Sequence, residues 1–162
     1  MSFKKVNLIL GGLFLTTSAF AAKKAVEIKG IIYELQYRVI KLKKLDLSQL
    51  FKKGEIRIIV DVAIENPTKE TLNIPLLKIK GLEFYLKDNK DTPFAVSKMN
   101  VENIVIPSDS KIDINDISTV ISTKQTKAIY SIIQEYGMNE FINHIDILPI
   151  LELNNTEIKI SR

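Results

Sequence analysis

The chain has no cysteine among its 162 residues, which excludes disulfide frameworks, thiolate metal sites and the acylated cysteine of a lipoprotein together. It has a single histidine and only six glycines. One imidazole cannot provide paired metal ligands, and neither a glycine-rich phosphate loop nor a dinucleotide fingerprint occurs anywhere. With no cysteine and no serine in a nucleophile elbow, the groups for covalent catalysis are missing. The expectation is therefore a non-enzyme without cofactor or metal. Aromatic residues are also scarce, 7% of the chain with no tryptophan. No basic stripe interleaved with aromatics exists, so nucleic acid is not an expected partner.

What is present points to strands. Hydrophobic residues make up 46% of the chain, and isoleucine is the favoured one. Branching at Cβ suits a pleated surface better than a helix. The length is that of one domain with an N-terminal segment, enough to bury a core without staples. The formal net charge is +4, and lysines gather early, at Lys4, Lys5, Lys23 and Lys24 and again at Lys41, Lys43, Lys44, Lys52 and Lys53. Clustered lysines suit an anionic surface, but those near the start flank an apolar segment, and the later ones alternate with apolar residues as on the wet face of a strand.

The opening stretch, MSFKKVNLILGGLFLTTSAFAAKK, sets Lys4-Lys5 before an apolar run from Val6 to Phe20 and ends in the small-residue pattern Ala19-Phe20-Ala21 before Ala22. This is the layout of a secretory signal peptide, with cleavage leaving Ala22 first. Two other readings stay open. Residues 6–22 are just long enough to anchor in a bilayer, bordered by Lys23-Lys24, or the segment packs on neighbours within a large assembly. Residues 1–25 thus form a signal peptide or anchor segment and residues 26–162 the domain. The place expected for it is exported or membrane-anchored, in a periplasm or envelope, with a virion as the alternative.

Within the domain, Gly30 to Leu50 mostly alternates and predicts a long strand with a bulge or break near Ile40. A short turn closed by Gly54 follows, with Asp46 or Ser48 as candidate cap. Ile56, Ile58, Val60, Val62 and Ile64 give the cleanest strand, with Arg57, Asp61 and Glu65 on its outer side. It ends at Asn66-Pro67, because proline offers no N–H to a ladder and holds the residue before it extended. The asparagine side chain can then bond its own downstream backbone. After this break Pro75 demotes the next run to an edge or bulged strand, Leu82 to Lys87 and Phe94 to Met99 form a hairpin, and Pro107 to Ser110 turns between two more strands. From Thr123 the period changes to three and four, with Gly137 as the stop, predicting one late helix. Strands at Ile145 to Leu153 and Thr156 to Ile160 close the chain. The pattern predicts a mainly β chain, an antiparallel β-sandwich.

These residues resemble a known family. The strand ending in Asn-Pro (VDVAIENPT), the apolar strand after it (LNIPLLKIKGLEFYL) and the later NIVIPSDSKIDI are similar to the LEA14-like domain. This is the water-stress and hypersensitive-response (WHy) domain of the late-embryogenesis-abundant (LEA) type 2 proteins. The likeness spans about residues 30–160, with Asn66 and Pro67 as its motif and Pro75 as a departure from it. It implies a fibronectin-like antiparallel sandwich of about seven strands with one helix, soluble or tethered by an N-terminal apolar segment, without a catalytic site.

Two constellations offer groups for chemistry. His144 and Asp146, two apart on a strand, would share a face and could act as a base and its partner. Asp113, Asn115 and Asp116 offer oxygens to a hard cation, yet alternate with Ile112, Ile114 and Ile117 as a wet strand face does. The function expected is a non-catalytic structural or protective module acting by surface contact, its partners other proteins or its own copies, with membrane contact through residues 6–22. The rivals are a structural subunit of a phage virion, in its tail or a portal-proximal ring, and a groove that binds an apolar ligand. Edge residues near Asn66 and from Lys87 to Asp91 are the expected contact surface.

Overall fold

The computed structural model describes residues 30–160, apart from positions 76, 122 and 154. Ala19, Ala21 and Ala22, with the rest of the signal or anchor segment, lie outside the described residues. Among the described residues no helix is long and apolar enough to cross a membrane.

The strands are β1 (Gln36–Asp46), β2 (Ile56–Asn66), β3 (Leu72–Asn73), β4 (Leu77–Leu86), β5 (Ala95–Val101), β6 (Val105–Ile106), β7 (Ser110–Ile121), β8 (Ile145–Leu153) and β9 (Thr156–Lys159). Seven of them form a continuous antiparallel sheet in the order β1-β2-β7-β5-β4-β8-β9, and β3 pairs with β6 as a separate ribbon. The sheet curls until β1 packs on β8. Its halves, β1-β2-β7 and β5-β4-β8-β9, are joined through one register pair, Ala95 opposite Ile121. That arrangement is an antiparallel β-sandwich, three strands over four, as the alternating pattern predicted, and its strand order has the fibronectin-like form that the resemblance implies. The core fills the space between layers with Ile58, Val60, Val62 and Ile64 of β2 against Leu82, Phe84, Ile147 and Leu151. At one end Phe84, Phe94 and Phe141 pack in series with tilted rings, their centroids 6.2 and 6.4 Å apart.

Short helices complete the chain: α1 (Leu50–Lys53), α2 (Thr123–Tyr136) and α3 (Met138–Phe141), with a 3-10 turn over Ile142–His144. Gly137, at φ 83°, stops α2 in the conformation that glycine adopts freely, and its N–H bonds the Ile133 carbonyl at 2.9 Å. From α2 to the 3-10 turn the chain crosses from β7 to β8 at the end where β1 turns into β2. Gln36, where β1 begins, lies opposite Glu65 at the other end, with Asn66.

Two expectations are overturned and one is met. Residues 30–34 are helical, not the start of a strand. The adjacent Ile31 and Ile32 are both buried, which a helical turn allows and an alternating strand does not. The Leu35 N–H closes that turn on the Ile31 carbonyl at 3.0 Å. The bulge expected near Ile40 is present between Val39 and Lys41, and a second follows between Leu42 and Lys44. The strand before Pro107 does not make a hairpin with β7: its two residues pair with β3, the fragment left once Pro75 breaks the run after Asn66.

Candidate functional site

Asn66 ends β2 with its side chain turned into the fold, 1% exposed. Its Oδ1 accepts from the Thr68 N–H at 3.1 Å and the Thr68 hydroxyl at 2.7 Å. This is the local turn that the Asn-Pro pair predicted. Its Nδ2 lies within reach of three carbonyls, those of Glu70 at 2.7 Å and of Ile106 and Pro107 at 3.1 Å each. Two N–H groups cannot serve three acceptors at full strength, so one hydrogen is shared. The Asp109 N–H donates to the Thr68 carbonyl at 3.1 Å, and Lys69 pairs with Asp109 at 2.9 Å. Asn66 therefore stitches the loop after β2 to the loop after β6. Beside it an open hollow of about 370 Å³ is lined by Glu65, Asn66, Pro67, Asp109, Ser110 and Lys111.

A second polar cluster sits in the middle of the three-stranded layer. Asp61, on the outer side of β2, is only 6% exposed. It lies where both neighbouring strands bulge: the register of β7 slips between Val60 and Val62, and that of β1 on either side of Lys41 and Leu42. The bulge on β7 puts Asp116 at φ 59° and turns its N–H onto Asp61 Oδ1 at 2.9 Å. Lys43 bridges Asp61 at 3.0 Å and Asp116 at 2.9 Å. Burial opposes charge on Asp61, but the Asp116 N–H and the Lys43 ammonium outweigh it and hold the carboxyl below the usual range. Lys43 is in turn held above the usual ammonium value, chiefly by its bond to Asp116 and then by that to Asp61. The ammonium takes the place between the two carboxylates that a cation would need.

The remaining sequence candidates are not brought together. His144 ends the 3-10 turn rather than lying on a strand with Asp146, and its ring packs 4.5 Å from that of Tyr136. Asp146 lies in β8 and pairs with Lys90 at 3.4 Å. Asp113 pairs with Lys111 at 3.5 Å, away from Asp116, which is taken up by Lys43. Among the described residues no group of three possible metal ligands gathers. Lys87 to Asp91 is a hairpin tip, not an edge, and the Lys87 N–H bonds the His144 carbonyl at 3.0 Å.

One feature escaped sequence reasoning. The turn between β1 and β2 carries α1, where Leu50 packs on the core and Phe51 is 97% exposed beside Lys52 and Lys53. Two apolar residues in a lysine-bearing turn were the available signal; periodicity cannot say which of them faces out.

No family model matches this chain, and no curated protein matches it. Among solved structures, a crystal structure of a protein from Archaeoglobus fulgidus is similar with a TM-score of 0.31 and 10% identity, over 78% of this chain and 87% of that one. A likeness at that level carries no argument.

Proposed function

We propose that the chain is a non-catalytic β-sandwich module of the late-embryogenesis-abundant type 2 kind, exported or membrane-anchored, that acts by surface contact as a structural or protective protein at an envelope. The observation that carries this reading is the use to which the buried polar groups are put. Asn66 and Asp61, the asparagine and aspartate that the fold buries, bond turn to turn and strand to strand. Groups occupied in this way are not poised for turnover. One apolar cavity between the layers is too small for an apolar ligand. The cavity between Leu35, Tyr37, Ile64, Leu72, Ile79 and Leu151 measures about 10 Å³, near the limit for one water and far below what a small molecule fills.

The test is fractionation of the native source with intact mass and N-terminal sequencing of the recovered chain. Recovery with the envelope, either starting at Ala22 or retaining the apolar segment, is the expected result. Recovery in a particle as repeated copies in ring symmetry would replace this reading with that of a virion subunit. A turnover of the purified protein that His144→Ala abolishes would end the non-catalytic reading.

A further inference from the structure

The turn over residues 47–53 is a built projection. Leu50 N–H bonds the Leu47 carbonyl at 3.0 Å, Lys53 N–H the Gln49 carbonyl at 2.8 Å, and Gly54 N–H the Leu50 carbonyl at 2.8 Å. Asp46 Oδ1 accepts from the Ser48 N–H at 2.9 Å, and Gly54, at φ 66°, ends the helical turn and returns the chain to β2. Leu50 fastens this turn to the core. The next residue along a helix points about 100° away, so the fold itself holds Phe51 in water. Leu47 is half exposed at the same tip. The side chains of Lys52 and Lys53 are exposed, and neither ammonium forms an ion pair with a described residue. Of the other large apolar side chains that the fold exposes, Tyr130, Tyr136 and Met138 belong to α2 and α3, at this same end.

We propose that this projection docks on an anionic lipid surface, with Phe51 and Leu47 entering the boundary between headgroups and acyl chains while Lys52 and Lys53 remain at the phosphates. Two arguments select lipid. The charge is complementary, since two unpaired ammonium groups stand beside the apolar tip. The shape is convex, a single ring at the end of a hairpin without walls to receive a partner's side chains, and a fluid bilayer needs no complementary pocket. Lysine stems reach past a buried neighbour to keep the charge at the interface. The proposal rests on the reading of the chain as a contact module and names the surface it contacts.

The absence of tryptophan makes the test local. Full-length protein carrying Phe51→Trp reports only on the tip, whatever residues 6–22 do. The expected result is a blue shift of the indole emission on phosphatidylglycerol vesicles and none on phosphatidylcholine vesicles. Adding Lys52→Gln and Lys53→Gln should weaken the anionic interaction about thirtyfold, on a contribution near fivefold per lysine. All these positions are exposed, and unchanged melting of each variant verifies the fold. Absence of a shift on anionic vesicles overturns the proposal, as does an equal shift on both lipids or one that survives both lysine substitutions. A shift with polyglutamate but not with vesicles would assign the tip to an acidic protein instead. None of these outcomes depends on where fractionation finds the protein.

Discussion

At one end of the sandwich a buried amide joins two loops 40 residues apart in the chain, while at the other a single helical turn holds out a phenylalanine with 97% of its surface in water. The first end is where β2 leaves the three-stranded layer for β3 and the chain returns from β6 to β7, and the second is the turn between β1 and β2 of that layer. The Asn66 end uses its polar side chains internally, and its loops are fixed to one another. The Phe51 end is also fixed in shape, through backbone bonds and Gly54, but leaves its apolar and cationic groups unengaged. A domain that acts by contact needs both, because a tip can present a ring in a defined direction only when the layer behind it is rigid.

The contrast breaks most severely at Asn66. Asn66→Ala leaves three carbonyls and the Thr68 N–H without their partner, and should cost roughly 3 kcal/mol in denaturant unfolding, since each buried group stranded in this way costs about 1–3 kcal/mol. A loss below about 0.5 kcal/mol, the range of an ordinary surface change, would show that the node is not what joins the loops. Between the two ends, Gly81 tests how tightly the four-stranded layer is closed. A Cβ there would stand 2.3 Å from the Ser97 carbonyl oxygen, at the bulge where β4 slips register against both neighbours. Because the obstacle is backbone, Gly81→Ala should lower stability by about 1–3 kcal/mol, as overpacking does, and its unfolding midpoint measures this.

The bulge cluster should reveal itself through pH. The folded carboxyl of Asp61 titrates below its ordinary value, so its contribution is complete above about pH 4 and is lost as the pH falls through the folded value. Lys43 titrates above its ordinary value, so its contribution is complete below about pH 10.4 and is lost above it. Asp61→Asn should therefore be less stable at neutral pH and show a flatter acid limb in thermal melts from pH 5 to 2. An acid limb as steep as that of the parent chain would remove Asp61 from the account. The smallest effect belongs to the exposed end, where Phe51→Ser should change stability by less than about 0.5 kcal/mol because the side chain contacts little. A larger loss in the same melts would mean that the ring supports the fold and is not free to contact another surface.

The parts of the fold legible in the sequence were those governed by local rules. Alternating branched residues located β2, the Asn-Pro pair its end, Gly54 and Gly137 the ends of α1 and α2, and a phase change the bulge near Ile40. Residues 30–34 misled because a short helical turn and a strand start both accept two isoleucines, and only burial of both distinguishes them. The candidate site was half legible. That Asn66 bonds its own turn follows from its chemistry, but its bonds to Ile106 and Pro107 depend on β3 meeting β6, which no local pattern states. Asp61 read as an outward residue on a wet face, and it is outward; it is buried because bulges on both flanking strands fold Lys43 and Asp116 over it.

By itself the sequence determined most of the strands, where proline and glycine stop them, and that no thiol chemistry is available, because these follow from the conformational limits and functional groups of single residues. Tertiary structure decided which strands are neighbours, which polar groups are consumed in joining them, and that Leu50 faces the core while Phe51 faces water. Those outcomes depend on contacts between residues far apart in the chain, and such contacts exist only once the two layers have closed on each other.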